Sequence, residues 1–244
     1  ANLAIDEIME LHINTLYRCD AEGRLRCVNE AGEPPAPLFY MGRTLQGNFW
    51  RFRYDLPAAA IEKLDDLCRS EPIPADLSGL SSEPQNYAAI HTLISEIAQQ
   101  QKHPEYRGPA YWIPEGNEPA ANVVLISESN SHLLPREFAW MLPLSQSKEI
   151  EPIAAAIVQD GEQDQAVAVC FCSRRPAQAT EAGVETLAAF RGKGYATATV
   201  AAWAMEVSKR GCIPMYSTSW DNLASQAVAR KLQMVIYGAD WSIR

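Results

Sequence analysis

Residues 190–199, FRGKGYATAT, place an arginine, a lysine and two closely spaced glycines directly ahead of a run of small residues. Read as a strand-to-helix turn, this is anion chemistry. The first N–H groups of a helix have no intrahelical acceptor, and the helix dipole adds partial positive charge there. Glycines at 192 and 194 remove the Cβ atoms that would hold an anion away from those N–H groups, while Arg191 and Lys193 add charge. Such a turn suits a pyrophosphate. Two better-known cradles do not fit. A Walker A loop needs four residues between its glycines and a Ser or Thr after the lysine, and a dinucleotide fingerprint needs a third glycine where Thr197 stands. The alternative is a turn whose small residues serve only tight helix-on-strand packing.

Other candidate chemistry is sparse. The six cysteines (Cys19, Cys27, Cys68, Cys170, Cys172, Cys212) include no CxxC pair, and read as buried, reduced thiols of a cytosolic protein. His12, His91, His103 and His132 have no second ligand at metal spacing, so no metal is expected. A net charge of −9 argues against a nucleic-acid partner, since phosphate backbones demand a basic face. Hydrophobic residues at 47% and charged residues at 21% are ordinary for a globular chain. No apolar run approaches the ~20 residues of a bilayer span, so no membrane partner is expected. The opening stretch ANLAIDEIMELHINTLYR has neither the basic region nor the apolar block of a signal peptide. A cytoplasmic location is the expectation.

The elements that must position the turn follow from periodicity. A helix is expected over about 3–18, and a hairpin around Gln46-Gly47-Asn48 within PLFYMGRTLQGNFWRFRYDLP. Pro57 should sit in the first turn of a helix through PAAAIEKLDDLCRS. QNYAAIHTLISEIAQQQ spaces Tyr87, Ile90, Ile94 and Ile97 as one helical face. Two stretches rich in Pro, Gly and Ser, 69–85 and 103–120, read as connecting loops. In the second half, two apolar runs flank Asp160-Gly161 as a strand pair, and EAGVETLAAF reads as a third strand running into the turn. A helix follows from Gly194 to about Arg210, stopped by Gly211. CIPMYSTSW then reads as a strand, NLASQAVARKL as a helix and MVIYGADWSI as a closing strand or hairpin. Strands alternating with helices predict an α/β sheet.

The flanks of the turn carry a resemblance. R-x-x-G-x-A after an apolar strand and before a long small-residue helix resembles the acetyl-CoA loop of the GNAT family of N-acetyltransferases. SWDNLASQAVARKLQM resembles that family's second signature, an Asn opening a helix that ends in Lys-Leu-Gly-Phe. The order of elements from about 166 to 244 follows the family. ETLAAFRGKGYATATVAAW with YSTSWDNLASQAVARKL is similar to the subgroup with an additional N-terminal region. The resemblance implies a mixed central sheet flanked by helices over 119–244, preceded by an N-terminal α/β region over 1–118. That region would cover the acceptor site or be a degenerate second lobe. The resemblance also implies acetyl-CoA as cosubstrate, its pyrophosphate held by the N–H groups of Arg191, Gly192, Lys193, Gly194, Tyr195, Ala196 and Thr197. The preceding strand would splay from its neighbour and pair with the pantetheine arm over about Glu185, Thr186, Leu187 and Ala188. An N–H at Thr186 or Leu187 would polarise the thioester carbonyl.

Acetyl transfer to an amine needs a base for the ammonium proton and an acid for the leaving thiolate. Glu181 and Glu185 lie four apart on one strand, hence on one face. The family's catalytic glutamate slot falls on Glu181, with Glu185 as the alternative. The family's usual acid, a tyrosine seven residues after the helix-opening Asn, is Ala229 here, and Gln233-Met234 replaces the usual Gly-Phe. Counting along a helix puts Asn222, Ser225 and Ala229 on one face toward the cofactor, with Leu223, Ala227 and Val228 as the adjoining core stripe. Ser225 and Tyr216 are the remaining candidate acids. Trp50, Trp112, Trp140 and Tyr111 could line an acceptor pocket or simply be core. The resulting expectation is an N-acetyltransferase acting on the primary amine of a small molecule by direct transfer. The alternative is a non-catalytic acyl-CoA-binding module on the same fold. The sequence does not set the oligomeric state.

Overall fold

The computed structural model describes residues 4–99, 103–117, 120, 122–160 and 163–244. In chain order the elements are α1 (Ile5–Leu16), β1 (Tyr17–Cys19), β2 (Leu25–Val28), β3 (Phe39–Arg43), β4 (Asn48–Phe52), α2 (Ala58–Ser70), α3 (Leu77–Ser81), α4 (Tyr87–Ala98) and β5 (Glu105–Trp112). There follow β6 (Val123–Leu125), β7 (Ala154–Asp160), β8 (Gln163–Cys172), β9 (Ala179–Thr186), α5 (Tyr195–Lys209), β10 (Ile213–Ser217), α6 (Leu223–Lys231) and β11 (Val235–Ile243). Four 3-10 turns occupy Glu128–Ile150, and a fifth spans Ala188–Phe190. The chain divides into two compact α/β units. One comprises residues 1–111, 217–223 and 236–244; the other comprises 112–216 and 224–235.

In the first unit the hairpin of β3 and β4 pairs Gly42 with Phe49, and β11 lies antiparallel to β3 with Asp240 opposite Gly42. The turn closes on Thr44, whose Oγ1 accepts from the N–H groups of Gln46 and Gly47. One face of these strands, with Phe39, Met41, Phe52 and Trp241, packs against Leu64 and Cys68 of α2 and Ile90 and Ile94 of α4. Pro57 stands at the N-cap of α2, one position before the helix proper. A buried polar chain links α1 to β11. His12 Nε2 lies 2.9 Å from Asp240 Oδ2, Tyr237 Oη lies 2.8 Å from His12 Nδ1, and the Tyr40 hydroxyl donates to Asp240 Oδ1 at 2.6 Å. Burial, with Asp240 alongside, pushes the Tyr40 phenol well above its ordinary range.

Two loop expectations are corrected. Residues 69–85 contain the short helix α3, capped by the Asp76 carboxylate accepting from Gly79 N–H at 3.0 Å. Residues 103–120 contain the eight-residue strand β5. Its Gly108 and Pro109 look like loop residues, yet any Cβ at 108 would collide with the carbonyl of Thr218. The glycine is there for close backbone approach. Pro109 lacks a donor but still accepts from Thr218 N–H at 3.3 Å.

In the second unit the strand order is β10-β9-β8-β7-β6. β9 and β10 are parallel and the other neighbours antiparallel, giving a mixed sheet. The expected turn at Asp160-Gly161 runs into residues outside those described. On one face α5 packs across β7, β8 and β9, burying Val200, Ala201, Trp203, Ala204 and Val207. Its small residues let the helix sit close, and Gly211, at φ +80°, ends it. The other face is covered by the 3-10 turns, whose Leu134, Phe138, Met141 and Leu144 pack on Ile153, Ala155 and Val169.

Candidate active site

The site lies where β9 meets α5. Gly192 and Gly194 hold φ of +75° and +90°, left-handed values that favour glycine, and a Cβ built on either meets nothing within 4 Å. The space above the turn is therefore open. The first intrahelical bond runs from Ala198 N–H to the Gly194 carbonyl at 3.1 Å. The N–H groups of Gly194, Tyr195, Ala196 and Thr197 have no intrahelical acceptor. Both cations of the turn are exposed but anchored. Arg191 Nε donates to the Thr186 carbonyl at 3.3 Å, and Lys193 Nζ stands 4.9 Å over the Phe190 ring. Open space, unspent N–H donors and two cations fit a pyrophosphate.

Behind the turn, β9 has one paired and one open edge. β8 pairs with it from Ala182 to Thr186. β10 pairs with it only at Ala179, Thr180 and Glu181, opposite Ile213, Pro214 and Met215. Among the described residues no strand pairs with the β10-side edge from Ala182 to Thr186. Backbone parity identifies the donors there. Ser173 N–H bonds the Glu181 carbonyl at 2.8 Å and Leu187 N–H bonds the Val167 carbonyl at 2.9 Å, so the odd-numbered groups face β8. The even-numbered N–H groups of Ala182, Val184 and Thr186 face the open edge. Of the two expected carbonyl polarisers, Leu187 has its N–H committed to the sheet, and Thr186 is the one whose N–H is available. Ala188 lies in the 3-10 turn beyond the strand.

Glu181 is only 5% exposed, and its Oε1 has no hydrogen-bond partner among the described residues. Glu185 is exposed on the same face of the strand. That face is opposite α5, because it is Thr180 and Ala182, beside Cys172, that point toward the helix side. On the α5 side, Tyr216 Oη hydrogen-bonds to Ser225 Oγ, joining the two candidate acids into one pair. Tyr216 is buried and Ser225 half-buried.

The expected face of α6 needs correction. Leu223, assigned to the core stripe, is 68% exposed, while Val228 of the same stripe is buried. Asn222 precedes the helix, with its N–H on the Ser219 carbonyl at 3.1 Å. The inward stripe is Ser225, Val228, Ala229 and Leu232. A tyrosine at 229 would have to fit inside the core. Gln233 takes the family glycine's place at φ +51°. Met234 N–H bonds the Ala229 carbonyl and Gln233 N–H that of Arg230, the two bonds of a Schellman cap.

Phe171, which sequence reasoning missed, lies opposite Gly183, between the two glutamates; a Cβ on Gly183 would come within 2.6 Å of its ring. Trp140, 49% exposed, packs edge-on against Phe171 with centroids 5.1 Å apart. Trp50, by contrast, packs on the first unit's core and donates from Nε1 to Asp65 at 2.9 Å. Two cavities of the second unit lie apart from this chemistry. One of about 450 Å³ runs along Ala201, Ala204 and Met205 beside Pro114–Asn117, and one of about 420 Å³ is lined by Ile126, Lys148 and Arg210. Among the described residues no cluster of three or more His, Cys, Asp or Glu could hold a metal, and no helix is long and apolar enough to cross a membrane.

The family model for GNAT acetyltransferases matches residues 154–235, the stretch that carries the open edge, the turn and the Tyr216–Ser225 pair. Among solved structures, a GNAT-family protein from Novosphingobium aromaticivorans is 16% identical, over 58% of this chain and 65% of that one, with a TM-score of 0.47. A GCN5-related N-acetyltransferase-like protein from Streptococcus suis is 14% identical over 86% and 85%, with a TM-score of 0.44. A tandem GNAT protein from the clavulanic acid biosynthesis pathway is 12% identical over 98% and 96%, with a TM-score of 0.45. No curated protein matches the sequence. Residues 154–235 of this chain are similar to the GNAT acetyltransferase family.

Proposed function

We propose that the protein is an acetyl-CoA-dependent N-acetyltransferase that moves the acetyl group directly to the primary amine of a small molecule. The observation carrying this reading is the β10-side edge of β9 from Ala182 to Thr186, unpaired among the described residues, which runs straight into a turn with two left-handed glycines and open space above them. The turn would hold the pyrophosphate through the N–H groups of Gly194 to Thr197, assisted by Arg191 and Lys193. The pantetheine arm would lie along the edge that β10 vacates, with the Thr186 N–H kept for the thioester carbonyl. Acetyl-CoA supplies the activated thioester.

This chain's own residues supply the proton traffic. Glu181, on the face away from α5, would take the proton of the incoming ammonium; its unpartnered oxygen is free to do so. The amine nitrogen then forms the C–N bond as the C–S bond breaks. Thr186 N–H would donate to the carbonyl oxygen as negative charge grows there. The thiolate would take a proton from the Ser225 hydroxyl, which Tyr216 replenishes through their hydrogen bond; the second proton that the nitrogen releases as the amide forms passes to solvent, and the Tyr216 phenol regains one from solvent. The products are an amide, the free thiol and the proton left on Glu181. Base and acid thus lie on opposite faces of the sheet with the open edge between them.

Calorimetric titration with acetyl-CoA, followed by turnover of an amine panel, tests this. Sub-millimolar binding and turnover that falls about 100-fold or more in Glu181→Gln, with acetyl-CoA affinity kept, are expected. Binding without turnover of any amine would favour the non-catalytic acyl-CoA-binding module. Absence of binding would remove both.

A further inference from the structure

Phe171 and Trp140 are not accounted for by acetyl transfer itself, and their placement bears on the acceptor. Along β9 the residues on the face opposite α5 run Glu181, Gly183, Glu185. The middle position is a glycine because the Phe171 ring lies directly on it. Trp140 meets that ring edge-on, and the indole is half exposed. An apolar aromatic wall therefore stands between an exposed carboxylate and a buried one with an unpartnered oxygen. From Gly183 to Glu181 the strand advances about 7 Å, the reach of a ring on a two-carbon tether.

Resting on the acetyltransferase reading above, we propose that the acceptor is an arylalkylamine, its ring against Trp140 and Phe171 and its nitrogen toward Glu181. A ring on this wall gains offset or edge-to-face contact, and its ammonium approaches aromatic faces that attract cations. A polyamine or amino sugar has no aromatic ring to make that ring–ring contact and gains less from the wall. Glu185, at the open end, draws the cation in, and Glu181 removes its proton.

The test is steady-state kinetics with acetyl-CoA and four acceptors: tryptamine, phenethylamine, putrescine and glucosamine. The two arylalkylamines should exceed the others in kcat/KM by about 10-fold or more. Trp140→Ala should raise their KM by a similar factor and leave that for acetyl-CoA unchanged. Trp140→Phe, which keeps a ring, should recover most of the loss. Efficient turnover of putrescine or glucosamine with no aromatic preference would overturn this proposal and leave acetyl transfer standing. An unchanged arylalkylamine KM in Trp140→Ala would do the same. Failure to acetylate any of the four or any wider amine panel would overturn both.

Discussion

Gly194 concentrates the cofactor argument in one residue. It is the N-cap of α5, its φ is +90°, and the space where its Cβ would stand is empty of protein. Any side chain there carries about 1–2 kcal/mol of left-handed strain, and an acidic one also places negative charge against the expected pyrophosphate. Gly194→Asp should therefore abolish measurable acetyl-CoA binding in a calorimetric titration while lowering the melting temperature by only a few degrees. Unchanged affinity would sink the cradle. The neighbouring residues are less interchangeable than the motif suggests. Leu187 and Thr186 are adjacent in sequence, but the Leu187 N–H is spent on Val167 while that of Thr186 faces the open edge. Residue types do not reveal this; strand parity does.

At the scale of elements, the end of α6 shows how a departure from a family pattern can preserve the geometry it replaces. Gln233 adopts the left-handed conformation and both Schellman bonds form around it. Glycine at that position would keep the bonds and lose the strain. Gln233→Gly should accordingly raise stability by about 0.5–1 kcal/mol, read from denaturant midpoints at unchanged slope. An equal loss would mean that the Gln233 side chain contributes more than its backbone costs. The same helix marks where sequence reading stops. β7, β8, β9, α5 and β10 were legible because buried strands and a small-residue helix leave simple patterns, and the turn was legible because glycine, arginine and lysine are few and their roles local. On α6 the misplaced residue is Leu223, which opens the helix and is 68% exposed, whereas Val228 of the same expected stripe is buried: the first turn of a helix need not face the core that its later turns cover. β5 hid behind Gly108 and Pro109, whose reasons are contacts across the sheet. Phe171 was invisible for the same cause: its place beside the glutamates follows from its pairing with Gly183, and register is not written in composition.

At the scale of the whole molecule, the first unit is not a contiguous stretch of chain. Its sheet is completed by β11, which follows α6 in sequence and brings Trp241 and Ile243 into the core with Phe39 and Met41. β11 also carries Asp240, the partner of both His12 and Tyr40. Residues 1–111 alone would therefore lose two buried apolar side chains, at about 1.5–3 kcal/mol each. They would also leave two buried polar side chains without their carboxylate, at about 1–3 kcal/mol each. Together these losses of about 5–12 kcal/mol match the whole margin of a domain of this size. The fragment 1–111 should consequently show no cooperative thermal transition by circular dichroism. The same fragment with residues 236–244 joined through a flexible linker should melt cooperatively, because the missing strand then returns as an intramolecular partner at high effective concentration. A cooperative melt of the bare fragment would mean that β3 and β4 with α1, α2 and α4 suffice as a folding unit. β11 would then be an addition to the first unit's sheet and not a condition of it.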